Sequence, residues 1–467
     1  MSVIGQRPMT AVLAFLDRRR TVAGPGYSRW LVPPAALSIH LAIGEAYAFS
    51  VFNLPLTRLI GITESAPDDW KLTTLGWIFS IAIVFLGLSA AVFGKWLERV
   101  GPRQAMFASA ACFGGGFLVS AIGVVVHQVW LLYLGYGVLG GIGLGLGYIS
   151  PVSTLIKWFP DRPGMATGLA IMGFGGGAMI GSPLAHVLMD HFRTSTSMGV
   201  AETFVAMGVI YFCFMLFGAL TVRLPPPGWM PSGYTPAIKP GRLMTSENVT
   251  ADEAVKTPQF WLLWAVLFLN VTAGIGVLGQ ASPMIQEMFP GRVLEAAAAG
   301  FVGLLSLFNM AGRFCWSSLS DAIGRKNTYA IFFLLGAVLY ALTPQTGRLG
   351  SLALFVLGYG IIMSMYGGGF ATIPAYLRDL FGTTQVGAIH GRLLTAWSAA
   401  GVVGPVLVNY IREYQIEHGV AKAGAYTVTM YIMAGLLLVG LVCDLLVCPV
   451  SSRHYLAQPG TSAGAAP

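Results

Sequence analysis

Gly94-Lys95-Trp96-Leu97-Glu98-Arg99-Val100-Gly101-Pro102-Arg103 and Ser320-Asp321-Ala322-Ile323-Gly324-Arg325-Lys326 read as two versions of one short basic loop. A single offset of 223 residues sets Asp321 on Glu98 and Gly324 on Gly101. In each copy a glycine permits a tight reversal, an acid is placed to cap a helix end, and arginine or lysine holds the loop on one side of a membrane. Glu98, Arg99, Gly101, Asp321, Gly324 and Arg325 are therefore expected to form a repeated gating motif. A chain built from two related halves is a known plan for carriers, with the binding site near the midplane between them.

The regions flanking these loops are apolar. Hydrophobic residues make up 55% and charged residues 10% of the 467 positions, against ~25% charged in soluble domains. Mean hydropathy is +0.71. Apolar runs long enough to span a bilayer begin near Trp30, Leu72, Gln104, Trp130, Gly164, Ala201, Pro258, Ala296, Asn327, Leu349, Val386 and Gly424. The expected fold is an all-α membrane protein, twelve transmembrane helices in two pseudo-symmetric six-helix bundles. The expected division is a tail over 1–28, bundles over 29–223 and 258–448, a proline-broken linker over 224–257 and a second tail over 449–467.

The net charge of +8 does not point to nucleic acid, because the basic residues are sorted by side. With alternate loops assigned to one side, 19 of the 27 lie with the termini, 7 lie opposite and Arg313 lies within the membrane. By the positive-inside rule both termini are cytoplasmic, in an integral, multi-pass plasma-membrane protein. That is the inner membrane if the cell is Gram-negative. No cleavable leader is legible in the first 28 residues. Cys112, Cys213, Cys315, Cys443 and Cys448 fit neither a metal site nor a disulfide framework and read as buried free thiols. Thr245-Ser246-Glu247-Asn248 with Asp252-Glu253 suggests a short surface helix before helix 7.

Arg313 is the residue with the strongest functional signal. It lies in Ala296 to Ser320, a stretch otherwise uncharged and mostly apolar, where an arginine costs ~2.5 to 3.5 kcal/mol on insertion scales. Such a side chain faces a polar chamber or a partner, and its default reading is an anion site; the other reading is a brace on neighbouring carbonyls. Ser306, Asn309, Arg313, Ser317 and Ser320 recur at steps of three or four and share one helix face with Trp316.

Several segments are more specific. Gly147-Tyr148-Ile-Ser150-Pro151-Val-Ser-Thr-Leu-Ile-Lys157-Trp158-Phe159-Pro160-Asp161, Gly164-Met-Ala-Thr-Gly168, Met172-Gly-Phe-Gly-Gly-Gly177, Thr257-Pro258-Gln259-Phe260-Trp261-Leu-Leu-Trp264 and Ala311-Gly312-Arg313 resemble the oxalate/formate antiporter family of the major facilitator superfamily. The resemblance covers nearly all of residues 29 to 448 and extends to bacterial monocarboxylate transporters. It implies a secondary carrier of small carboxylates in which Arg313 binds the carboxylate. It also implies an aromatic lining matched here by Tyr47, Tyr148, Tyr366 and Phe370, whose bland reading is ordinary helix packing. On chemical grounds a guanidinium offers a planar fork for a carboxylate, and Asn309, one turn earlier, is placed to orient it or to bind the substrate.

One departure bears on the substrate. Where the oxalate branch carries a lysine midway along helix 11, the alignment places Trp397, and no lysine lies between Lys326 and Lys422. One buried arginine neutralises one charge, so a monocarboxylate such as lactate, pyruvate or formate is favoured. An oxalate/formate-type dicarboxylate antiporter stays open, with Arg392 reaching in from the cytoplasmic end of helix 11 as the second cation. A further alternative is an exporter of a bulkier organic compound. The distantly similar animal monocarboxylate transporters carry an aspartate and a lysine where this chain has Asn309 and Val51, so their proton scheme does not carry over.

Coupling candidates are His40, Glu45, His390 and Arg392. Glu45 and Tyr47 are two residues apart, hence ~200° apart on an α-helix, so both cannot face one chamber; His40 and Tyr47 share a face, as do His390 and Trp397. Each histidine also reads as a structural tether, and Glu45 as a hydrogen-bonded structural acid. Proton symport and anion exchange both remain open. Ser150-Pro151, Gly173 to Gly177, Gly367 to Gly369 and Gly404-Pro405 supply kinks or close contacts for rocking halves. No enzyme motif, metal spacing or cofactor loop is legible. The expected partners are a small organic anion, protons or a counter-anion, and the lipid bilayer, with the chain working as a monomer.

Overall fold

The computed structural model describes residues 15–234, 243–278 and 280–456. The ends of both tails and positions 235–242 of the linker lie outside the described residues, and with them Arg7, Lys239 and Arg242 of the charge count. The first half contains α1 (Arg29–Leu56), α2 (Leu72–Val100), α3 (Pro102–Val125), α4 (Val129–Trp158), α5 (Pro163–Phe192) and α6 (Val200–Thr221). The second contains α7 (Pro258–Leu278), α8 (Glu295–Ile323), α9 (Arg325–Arg348), α10 (Leu352–Phe381), α11 (Val386–Glu417) and α12 (Lys422–Leu445). Eleven of these meet the length and hydropathy of a membrane span, and α8, which carries Arg313, is the twelfth long helix among the described residues.

Three of the spans depart from regular α-helix in their interiors. Gly44–Phe52 in α1 is a 3₁₀ segment, Tyr133–Gly140 in α4 is a π segment, and α11 breaks at Leu394 between Val386–Leu393 and Thr395–Glu417. The five cysteines are free, but Cys213, Cys315 and Cys448 are exposed on the outer surface of the bundle and Cys112 and Cys443 half-buried, so the expectation of buried thiols is corrected. A thiol is apolar enough to lie against lipid, and this is why hydropathy alone does not separate the two cases.

The halves meet through equivalent helices: α8 packs on α5, and α2 packs on α11. At the end bearing the basic loops, the acid of each loop reaches across this seam. Asp321 accepts backbone N–H groups of Gly164 (2.9 Å) and Met165 (2.8 Å) at the start of α5, and Glu98 accepts the N–H of Gly387 (3.2 Å) at the start of α11. Gly164 and Gly387 are themselves separated by 223 residues, so the two caps are copies of one another. A carboxylate at a helix N-terminus is favoured both by the unpaired amides and by the helix dipole. Lys157 (2.7 Å from Glu98) and Arg325 (2.6 Å from Asp321, 3.1 Å from Asp379) balance the acids. Arg99 is exposed beside this seam.

Glycine is required at the loop reversals, where Gly101 and Gly324 hold φ of 87° and 91°. It is required again in the seam, where a Cβ on Gly164 would lie 2.1 Å from the Ser317 carbonyl oxygen and one on Gly168 2.2 Å from its hydroxyl. The basic end is thus closed by direct backbone contact.

The described part of the linker lies over this closed end. Thr250 caps a single helical turn, Ala251–Ala254, while Thr245–Asn248 is not helical: the Asn248 side chain instead accepts the N–H groups of Thr383 (3.0 Å) and Thr384 (3.1 Å). Side-chain capping of a neighbouring turn competes with helix formation in such a segment. Asp252 bridges Lys95 of α2 and Arg392 of α11, tying the halves together. Hydrogen bonds from Lys95 and Arg392 hold its carboxyl down to about 2, below the ordinary 3.8. The group stays charged, and the bridge intact, until the pH falls to that value.

Candidate functional site

Arg313 is fully buried near the middle of α8, between the halves. Its Nε donates to Oδ1 of Asn309 (2.9 Å) and its Nη1 to the backbone carbonyl of Ile171 on α5 (3.4 Å). Nη2 makes no well-formed hydrogen bond among the described residues, although the Tyr47 and Tyr148 hydroxyls lie near the guanidinium. The guanidinium carbon stands 5.4 Å from the Phe174 ring centroid of the first half and 5.3 Å from that of Phe370 in the second, a cation between two aromatic faces.

The remaining walls are aromatic. Tyr47 and Tyr148 lie close enough to interact electrostatically with the guanidinium, and Tyr47 and Tyr366 share a hydrogen bond between their hydroxyls (3.1 Å) across the seam. Trp397 packs on Phe370 (4.5 Å), Tyr148 (5.3 Å) and Phe174 (5.4 Å), and Tyr366 on Phe370 (5.2 Å). Arg313, Asn309, Tyr47, Tyr148, Tyr366, Phe370 and Trp397 therefore lie in one cluster, with α1, α4 and α5 on one side and α8, α10 and α11 on the other. An arginine closed in by aromatic rings, with no acid bonded to it among the described residues, has the chemistry to bind an anion.

The sequence profile of the Major Facilitator Superfamily matches residues 26–405. The chain belongs to that superfamily. This facilitator is 28% identical over 382 residues to the oxalate:formate antiporter of Oxalobacter formigenes, covering 81% of this chain and 83% of the relative. It is also 28% identical over 368 residues to the MFS-type transporter YhjX of Escherichia coli K12, covering 78% and 83%. Among solved structures it is similar to the E. coli fucose:proton symporter FucP, with a TM-score of 0.63 at 14% identity over 91% of this chain and all of that one. The superfamily consists of transporters, not enzymes, and the two-bundle fold is the one expected from the repeated loops.

The coupling candidates of this facilitator divide. His40 and His390 both border the cluster, packing on Tyr148 at 5.4 and 5.8 Å from opposite halves. Glu45 lies away from it, as its two-residue offset from Tyr47 predicts: the segment is 3₁₀, and two steps of ~120° each still set Glu45 on a different face, turned into the first half. There Tyr136 donates to its Oε2 (2.9 Å), and Gly181 and Tyr211 lie alongside. Arg392 does not reach the cluster, correcting the idea that it supplies a second cation. It is held at the basic end by the Ala251 carbonyl and by Asp252 (2.7 Å).

Phe174 is the residue that sequence reading missed. It is the one large side chain within Gly173 to Gly177, and that contrast was its available signal. Asn309→Asp tests the electrostatics: a carboxylate introduced 2.9 Å from Arg313 Nε pairs with the guanidinium and competes with any anionic ligand. Binding of a carboxylate substrate, read by titration calorimetry, is expected to weaken about 10- to 100-fold, while the isosteric Asn309→Leu loses only the orienting bond.

Proposed function

We propose that this facilitator exchanges small monocarboxylates across the plasma membrane by alternating access, with Arg313 as the carboxylate ligand, Asn309 orienting it and both termini cytoplasmic. The observation that carries the reading is a buried guanidinium with no acid paired to it among the described residues, its Nη2 without a well-formed hydrogen bond, set between Phe174 and Phe370. One positive charge matches one carboxylate. Trp397 stands where a second cation would serve a dicarboxylate, and Arg392 is engaged elsewhere.

Exchange follows from the cost of an unpaired buried charge. Reorientation without substrate carries a bare guanidinium through a closed state, at several kcal/mol, whereas a bound carboxylate neutralises it. In proteoliposomes, unlabelled lactate or pyruvate inside the vesicles is expected to accelerate uptake of labelled lactate about tenfold or more over empty vesicles. Uptake indifferent to internal anion but driven by an acid outside would replace exchange with proton symport. That version rests on the buried carboxyl of Glu45, and Glu45→Gln should then abolish the acid dependence.

A further inference from the structure

Six buried polar atoms at the cluster lack a well-formed hydrogen bond among the described residues: Nε1 of Trp397 and both ring nitrogens of His390, together with Nη2 of Arg313, Oη of Tyr148, which lies near the guanidinium, and Nε2 of His40, which lies near the Tyr148 backbone. Buried polar groups are nearly always satisfied, and each one left unpaired carries a desolvation cost. Five of the six belong to Tyr148 and the three rings packed around it, His40, His390 and Trp397. These groups form a patch that continues directly from the Arg313 pocket, because Trp397 touches the same two phenyl rings that flank the guanidinium.

The two parts differ in chemistry. Arg313 supplies the cation. The Tyr148 patch carries no lysine, arginine or acid; it supplies a phenol, an indole N–H and imidazoles, each neutral imidazole having one donor and one acceptor nitrogen. Such a set cannot balance a second carboxylate, yet it is wasted on a bare hydrocarbon. We propose that the Tyr148 patch is a second subsite that reads a hydroxyl or keto oxygen close to the substrate carboxylate. The preferred cargo is then a short hydroxy or oxo monocarboxylate, in preference to formate or a plain fatty acid. This deepens the carboxylate reading of Arg313 and rests on it.

The discrimination comes from the atoms left unpaired. When an unsubstituted acid of similar size binds, a methylene sits where the oxygen belongs, and Tyr148, Trp397 and His390 stay unsatisfied. Sites built to bond a hydroxyl reject the analogue lacking it by large factors, well beyond what one methylene achieves in an apolar pocket.

The test is competition against labelled lactate counterflow in proteoliposomes containing the full-length protein. Glycolate and pyruvate are expected to compete on a par with lactate, whereas acetate, propionate and formate are expected to be at least ~30-fold weaker. Propionate competing as well as lactate would overturn the inference and leave the carboxylate reading standing. If labelled lactate, pyruvate, formate and oxalate all fail to move, the carboxylate reading fails, and the inference with it. His390→Phe and Trp397→Phe are expected to bring the lactate-to-propionate ratio toward one. A merely structural role would lower both acids by the same factor, and that outcome also overturns the assignment.

Discussion

Arg313→Gln is expected to abolish carboxylate exchange while the protein still folds. Removing one partner of a buried, hydrogen-bonded charge pair costs about 2 to 5 kcal/mol, so substrate affinity should fall between roughly 30-fold and several thousand-fold. The folded protein loses little, since the well-formed hydrogen bonds of the guanidinium among the described residues go to Asn309 and the Ile171 carbonyl, and an uncompensated buried charge is itself unfavourable. Arg313→Lys separates charge from geometry. It keeps the cation but lacks the planar fork and the Nε bond to Asn309, and about a 10- to 100-fold loss is expected. Two measurements on the same sample decide it: lactate counterflow, and the rise in melting temperature on adding lactate, which any ligand of the native state produces in proportion to its affinity. Wild-type counterflow by Arg313→Gln would return Arg313 to the role of a helix brace.

The second large effect concerns which face is open. Asp321→Asn removes a charge that accepts two amides at the start of α5 and an ion pair from Arg325. Charge-assisted bonds of this kind contribute about 1.5 to 3 kcal/mol each when shielded, less where water reaches them. A shift of about 2 kcal/mol, roughly 30-fold, toward a state open at the basic end is therefore expected. Ser153, packed against Gly387 in the closed seam, offers a probe. With the five native cysteines replaced, Ser153→Cys should react with a membrane-impermeant maleimide from the basic side about 30-fold faster in the Asp321→Asn background. Glu98→Gln should give a smaller increase, because Glu98 holds one cross-seam amide at 3.2 Å where Asp321 holds two at shorter range. Labelling unchanged in both variants would mean that backbone packing at Gly164 and Gly168 holds the seam without the acids.

These two effects also mark what each level of description supplied. The Glu98 and Asp321 loops, their common offset and the apolar runs around them were readable from the chain alone. Hydropathy selects the spans, glycine and charge select the reversals, and a repeat needs no coordinates to be seen. Arg313 and Asn309 were readable for the same reason, as polar groups at helical spacing in an apolar run. The aromatic residues needed the resemblance, because a single tyrosine in a membrane helix looks like packing until its neighbours are known.

What the chain did not disclose depends on contacts between distant segments. Periodicity already separates Glu45 from Tyr47, but it does not show that Glu45 enters the first half to accept a hydrogen bond from Tyr136, 91 positions away. Phe174 could be placed only once α5 was packed on α8, setting its ring over a guanidinium 139 positions away. Arg392 had a plausible sequence position beside the site, but a linker aspartate and a backbone carbonyl hold it at the rim. Composition and repeat fix which segments enter the membrane and in what order, because burial in lipid is a property of each segment. Which side chains meet around Arg313 is a property of how the two halves pack, and only the folded molecule decides it.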